Sequence, residues 1–248
     1  MNSPYLIVSE SFQEAWANAI ILLKDNGWNI WSLVVQITAP TLFNREKHDR
    51  VTEFSKHHED IIEPDKVAYT IFPFRLYKSG LTKRKRLYKG YWRYFKMTRQ
   101  MEHSSWGTYF ERMIKYPTAN GDVDQLGTII DNINTRDKNY GASYVLIIPR
   151  PDKDLKKIMA APCLNYITIQ VEKKDDEKRE INLLAVYRNH DFRARAYGNY
   201  YGLCKLLQYI SFETGSDVGV LTCVSSHACT PNNKQELFQL AQDLIEIQ

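Results

Sequence analysis

Cys163 stands in Ala160-Ala161-Pro162-Cys163-Leu164, between a turn or short helix and the start of an apolar strand. Alone, a cysteine in such a place is more often a buried small hydrophobe than a nucleophile. Its neighbours along the chain shift that balance. A strand-like run, Ile181 to Val186, ends in Tyr187-Arg188-Asn189-His190-Asp191; Asn199 then opens a helical pattern, and His227 follows a second β-branched run. A guanidinium beside a thiol favours the thiolate, while Asn, His and Asp supply directional hydrogen bonds and proton routes. A cysteine nucleophile, an activating arginine and a polar reading group together make a covalent-catalysis site.

The elements that must position these groups follow from patterning. Ser11, with Glu14 three residues on, caps an amphipathic helix that carries Phe12, Ala15, Trp16, Ala19, Ile20 and Leu23 and stops at Gly27. Ile30 to Thr38 reads as a strand ending at Ala39-Pro40, and Arg45 to Asp60 as a polar helix. Val67 to Leu76, broken by Pro73, reads as buried irregular structure or a short strand, and Ser104 to Tyr109 as a turn. Val123 to Asn134 is a helix with Leu126, Ile129, Ile130 and Ile133 inward; Tyr144 to Pro149 is a buried strand. Ile167, Ile169 and Val171 alternate into a hairpin with Ile181 to Val186. A helix over Tyr200 to Phe212, a strand over Val218 to Val224 and a helix over Asn233 to Glu246 complete a single α+β domain over residues 1–248.

Composition excludes other classes. The chain has 248 residues, 44% hydrophobic, with 11 Gly and 9 Pro, which argues against disorder and low-complexity architectures. No apolar run approaches the roughly 20 residues of a bilayer span, and the start, Met-Asn-Ser-Pro-Tyr-Leu-Ile-Val, lacks a secretory pattern. Cys163, Cys204, Cys223 and Cys229 have no Cys-x-x-Cys spacing, so we expect reduced thiols, a cytoplasmic protein and no metal site. The net charge of +4 is uneven: Lys83 to Arg99 interleaves eight basic residues with Tyr88, Tyr91, Trp92, Tyr94 and Phe95. Such a segment can bind nucleic acid. The helical spacing from Leu81 to Gln100 favours aromatics packed inward and solvated basic side chains instead.

The run Ala161-Pro162-Cys163-Leu164, Tyr187-Arg188-Asn189-His190-Asp191, Tyr197-Gly198-Asn199, Gly202-Leu203 and Ser226-His227 resembles thymidylate synthases and pyrimidine hydroxymethylases. Their pattern is Pro-Cys-His or Pro-Cys-Leu, then Arg-Ser-x-Asp, an Asn opening a helix, a glycine, and a strand leading to His-x-Tyr. Leu164 and the opening Ser11-Phe12-Gln13-Glu14-Ala15-Trp16 look like the archaeal-type branch. Trp106-Gly107-Thr108-Tyr109, Asp124-Gln125 and Pro151-Asp152-Lys153-Asp154-Leu155 add matching pieces. The resemblance is strongest over 106–227; residues 45–99 diverge.

The resemblance implies a mixed sheet flanked by helices, a homodimer packed sheet to sheet, and 5,10-methylenetetrahydrofolate as cofactor. It implies that Cys163 adds to carbon-6 of a pyrimidine nucleotide or nucleoside, with carbon-5 then accepting a methyl or hydroxymethyl unit. Arg188 would touch thiolate and phosphate, Asn199 would read the pyrimidine edge, and Asp191 would meet the folate ring. His227 would lie beside the sugar hydroxyl, and Tyr109 would assist proton transfer.

Several positions depart from the pattern. Ser143-Tyr144 stands where the family carries two arginines that reach the partner's phosphate, a loss of several kcal/mol at roughly 1.5–3 kcal/mol per charged hydrogen bond. The catalytic glutamate has no assignable counterpart; Glu53, Glu59 and Glu63 read as solvated charges. Cys229 replaces the tyrosine of His-x-Tyr. His190 is either an added acid or base or a structural hydrogen-bonding group. Arg193 and Arg195 either replace the phosphate contacts or form a solvated edge. These departures set a second reading beside the enzyme: an inactive relative serving as a nucleotide-sensing or protein-assembly module.

Overall fold

The computed structural model describes residues 5–99, 106–135, 144–156, 161–174, 178–232 and 234–247, with the backbone alone at 96–99. β1 (Tyr5–Ser9) and β2 (Asn29–Ile37) run parallel and are joined by α1 (Phe12–Asp25). Ser11 caps α1 by accepting the Glu14 N–H at 3.2 Å. The reciprocal half of a capping box does not form, because Glu14 instead pairs with Lys47. α2 (Arg45–Lys56), α3 (Pro64–Ile71), a 3-10 turn at Phe74–Leu76 and α4 (Arg84–Arg99) follow.

Beyond them come α5 (Tyr109–Ile114), the hairpin β3 (Tyr116–Thr118) and β4 (Gly121–Val123), and α6 (Gln125–Thr135). The rest of the chain is β5 (Val145–Ile147), α7 (Pro151–Asp154), β6 (Leu164–Lys173), β7 (Arg179–Tyr187), β8 (His190–Asp191), α8 (Ala196–Glu213), β9 (Asp217–Cys229) and α9 (Lys234–Glu246).

The main sheet has the order β1-β2-β9-β7-β6-β5, with β8 also pairing β9. β2–β9, β7–β6 and β6–β5 are antiparallel, while β1–β2, β7–β9 and β8–β9 are parallel, so the fold is α+β with a mixed sheet. α1 and α8 cover one face, and α9 packs on α1. Alternation along the strands sends Ile7, Leu33, Val35, Ile167, Ile169, Leu183 and Leu221 into that core. Leu6, Val8, Ile147 and Tyr166 stand exposed on the opposite side.

The segment from Val67 to Leu76 is neither irregular nor a strand: it is α3 followed by the 3-10 turn. Pro64 occupies the first helical turn, where a missing N–H costs nothing. Val67, Ala68 and Ile71 bury against α8 where that helix carries Gly198 and Gly202. A Cβ at Gly198 would fall 2.6 Å from Val67 Cβ, and one at Gly202 would fall 2.8 Å from the Ala68 carbonyl. The two helices approach this closely because glycine leaves the space.

Boundaries move elsewhere too. α2 stops at Lys56, four residues short of Asp60; α8 begins at Ala196; β9 runs on to Cys229. The stretch read as a turn before Tyr109 ends in a helix cap, with Thr108 accepting the Glu111 N–H at 3.0 Å. In α4, Leu87, Tyr91 and Phe95 are buried, while Lys85, Arg86, Lys89 and Arg93 face solvent. Tyr94 is the exception among its aromatics, being exposed. Arg84 is tied to Asp131 at 2.8 Å.

Candidate active site

The thiol sits where two antiparallel strands reach the same end of the sheet. β6 begins at Leu164 opposite Tyr187, the last residue of β7, and the Arg188 N–H donates to the Cys163 carbonyl at 2.9 Å. Register slips by one between Leu164 and Tyr166, so Asn165 is an extra residue on β6. Leu164 and Ile167 therefore both enter the core, and Cys163, just ahead of the strand, is partly buried against it. The Arg188 guanidinium folds back over this turn, donating from Nε to the Pro162 carbonyl at 3.2 Å and from Nη2 to the Ala161 carbonyl at 3.4 Å.

The electrostatics of the thiol differ from the sequence expectation of a thiolate held by one arginine. Burial pushes the Cys163 thiol up from its ordinary value, Arg188 and Arg195 pull it down, and Asp191 pushes it up again. Burial is the largest of these effects, so in the absence of ligand the sulfur is not held ionised.

Tyr109 meets the same turn from α5. Its buried hydroxyl faces the N–H groups of Leu164 and Cys163; burial first, then the sulfur, push it up to about 12. It is a phenol at neutral pH, a proton donor rather than an acceptor. α5 is anchored from beneath. Arg112, itself buried, pairs with buried Asp154, donates to the Ile148 carbonyl at 2.9 Å, and lies 5.0 Å from the Trp106 ring.

β8 and the first turn of α8 close the other side. Asp191 Oδ1 accepts the N–H groups of Arg193 at 2.9 Å and Ala194 at 3.0 Å, leaving Oδ2 without a hydrogen bond among the described residues. Trp16 holds this loop by donating to the Phe192 carbonyl at 2.8 Å. Gln13 holds α8 through the Tyr197 hydroxyl at 3.2 Å. The two arginines of the loop part company. Arg193 is buried and committed to Asp60, with Nη2 to Oδ1 at 2.9 Å. Arg195 makes no ion pair among the described residues, and its charge acts on both Cys163 and Tyr109.

Asn199 and His190 form a second, buried polar group. His190 is 1% exposed, stacks on Tyr187 at 4.1 Å between centroids, and lies 2.9 Å through Nδ1 from Ser225 Oγ. Its Nε2 is 3.1 Å from Asn199 Nδ2. Burial pulls His190 down to about 3, so it is neutral at physiological pH and not an added acid or base. The Tyr187 hydroxyl is buried with no partner among the described residues, and it interacts electrostatically with Tyr109 and Cys163.

His227 lies apart from the thiol. Its Nδ1 and Nε2 are each 2.6 Å from an amide oxygen, of Asn189 and Asn29 respectively, and its ring stacks on Trp31 at 4.4 Å. Cys229, two residues on, joins the two regions: its sulfur is 3.9 Å from Asn189 Oδ1, and Asp191 and Cys163 act on it electrostatically.

Tyr144 is buried in the sheet, its carbonyl accepting the Ile169 N–H at 2.9 Å, and Ser143 lies outside the described residues. Glu53 and Glu63 pair with Lys56 and Lys66 at the surface. Among the described residues all four cysteines are free thiols, no three metal-ligating side chains converge, and no helix is long and apolar enough to cross a membrane.

Arg195, Tyr187 and Ser225 are the groups the sequence reading missed or left open. The signal for Arg195 lay in its place one residue before α8 and four after Asp191.

No family model matches the chain. Over 121 residues, 49% of its length, it is 33% identical to a curated protein of Methanosarcina mazei named "Putative thymidylate synthase". Proteins with the same name from Methanosarcina barkeri and Methanosarcina acetivorans are each 31% identical over 121 residues. In each case the match spans 51% of the relative, so the chain spans about half the length of the curated relatives it matches. Over about half its length the chain is similar to proteins named "Putative thymidylate synthase", and its thiol, phenol and guanidinium groups meet at one end of a mixed sheet.

Proposed function

We propose that this chain is a divergent thymidylate synthase-like transferase that adds a one-carbon unit to carbon-5 of a pyrimidine nucleotide or nucleoside through a Cys163 adduct. The observation that carries the reading is the convergence on one sulfur of the Tyr109 phenol and two guanidinium groups, Arg188 and Arg195. The two guanidinium groups favour the ionised form of Cys163, and the fraction that has lost its proton to solvent is the attacking form. The thiolate then bonds to carbon-6; the electron pair of the carbon-5/carbon-6 bond shifts toward carbon-5 and the carbon-4 oxygen, making carbon-5 the nucleophile. Tyr109, a phenol at neutral pH, can donate a proton within this site. On this reading Asn199 would offer its amide to the pyrimidine edge, and His227 would meet the sugar hydroxyl.

Methylenetetrahydrofolate would supply the one-carbon unit. The free Oδ2 of Asp191 suits the N–H groups of an amino-substituted ring, which is what a folate presents. We assign the exposed apolar side chains Leu6, Val8, Ile147 and Tyr166 on the far side of the sheet to a sheet-to-sheet homodimer.

Incubating the protein with a 5-fluoropyrimidine nucleotide and methylenetetrahydrofolate should give a covalent adduct, seen by intact mass and lost in Cys163→Ala. Absence of an adduct with any pyrimidine nucleotide would refute the reading. A second reading, the inactive nucleotide-sensing or assembly module, draws on the raised thiol and the buried Tyr144. It predicts that Cys163→Ala keeps nucleotide-induced thermal stabilisation and all biological activity.

A further inference from the structure

His190 is buried inside the site yet uncharged, and both its ring nitrogens have partners of known character. Asn199 Nδ2 is a donor only, so His190 Nε2, 3.1 Å away, must accept. The ring proton then lies on Nδ1 and is donated to Ser225 Oγ at 2.9 Å. Stacking on Tyr187, with 3° between the planes, holds the plane of the imidazole. The Asn199 amide is thereby fixed. One Nδ2 hydrogen is committed to His190, while Oδ1 accepts no hydrogen bond from any described residue. The amide cannot reverse alone: that would require the ring proton to move to Nε2 and Ser225 to change from acceptor to donor.

We infer that His190 is a positioning residue that locks the order of donor and acceptor on Asn199, and so decides which pyrimidine edge the site reads. This rests on the proposed function. A uracil edge presents N–H at position 3 and oxygen at position 4; a cytosine edge presents the reverse. An amide held one way matches one of them and meets the other donor to donor and acceptor to acceptor, the kind of mismatch that polar sites reject strongly.

The test compares covalent trapping rates at Cys163 for 5-fluorouracil and 5-fluorocytosine nucleoside monophosphates, each with methylenetetrahydrofolate, in the wild type and His190→Gln. A glutamine amide can donate or accept, so it holds Asn199 either way round. The ratio of the two rates should move toward unity by about tenfold or more in the variant. A ratio that stays put while both rates fall together would reduce His190 to a packing role and overturn the inference.

Nitrogen-15 NMR of the wild type supplies a readout independent of any variant's folding: the His190 ring should be the neutral Nδ1–H form, and an Nε2–H ring would equally overturn it. A wild type that traps neither nucleotide would refute the proposed function, and this inference with it. Ser225→Ala, which removes the Nδ1–H acceptor, should shift the ratio in the same direction as His190→Gln.

Discussion

Arg112 is the group on which the position of Tyr109 depends, and removing it should be costly. Its guanidinium pairs with Asp154, both side chains being under a tenth exposed, and it also donates to the carbonyls of Ile148 and Trp106. Arg112→Met preserves much of the volume but leaves the Asp154 carboxylate buried without its guanidinium partner. Breaking a buried pair from one side costs about 3–5 kcal/mol. With a urea m value of about 3 kcal/mol/M for a chain of this size, the unfolding midpoint should fall by roughly 1–1.7 M. Asp154→Leu alone should cost a similar amount. The double variant should cost less than the sum of the singles, because it leaves no orphaned charge, and the shortfall measures the coupling. A loss below about 1 kcal/mol in Arg112→Met would show that water or rearrangement satisfies Asp154, and the account of how α5 is anchored would fail.

Other outcomes follow from the same geometry. Gly198→Ala forces a Cβ to within 2.6 Å of Val67 Cβ and should destabilise by about 1–3 kcal/mol in urea unfolding, with α3 shifting away from α8. His190 has its folded pKa, about 3, below the ordinary value of 6.5, so the unfolded chain takes up the proton first as pH falls. Stability should therefore drop by about 3 kcal/mol between pH 6.5 and pH 4 from this group alone, and His190→Gln should lack that component when unfolding is measured across the range. Arg195→Leu removes one of the two cations lowering the Cys163 thiol and should slow its alkylation by iodoacetamide at a fixed pH near 8. Tyr187→Phe deletes an unpartnered buried hydroxyl, and without ligand should leave stability unchanged or raise it by up to about 1 kcal/mol, as read by thermal unfolding.

What could be read in advance was local. Ser11 caps α1 because a hydroxyl and a nearby N–H need only each other, and the spacing of Leu126, Ile129, Ile130 and Ile133 needs only a helix to share a face. The meeting of Cys163 with Arg188 was readable because one hairpin carries both. What escaped depended on distant partners. α3 is helical against glycines more than 120 residues away, and a proline two residues past its end made the segment look broken. Thr108 with Glu111 carried a cap signal like that of Ser11, overshadowed by the run of turn-forming residues before it. The divergent directions of Arg193 and Arg195 follow from Asp60, whose reach across the fold has no trace in local sequence. The balance on the thiol could not be had from neighbours in the chain, since burial outweighs both guanidinium groups.

The extra residue at Asn165 has an outsized effect on what this end of the sheet presents. Strands keep parity: shorten one by a single position and every side chain upstream trades places with its neighbour. Asn165 is the exception, being already outside the ladder: without it Leu164 would still face Tyr187 in the core, and only the kink it puts into the strand would go. Length changes in the tip between β6 and β7, at the far end of the same hairpin, leave that parity untouched. The sulfur is aimed by one unpaired residue beneath it, whose loss would straighten the strand there without altering any group of the site.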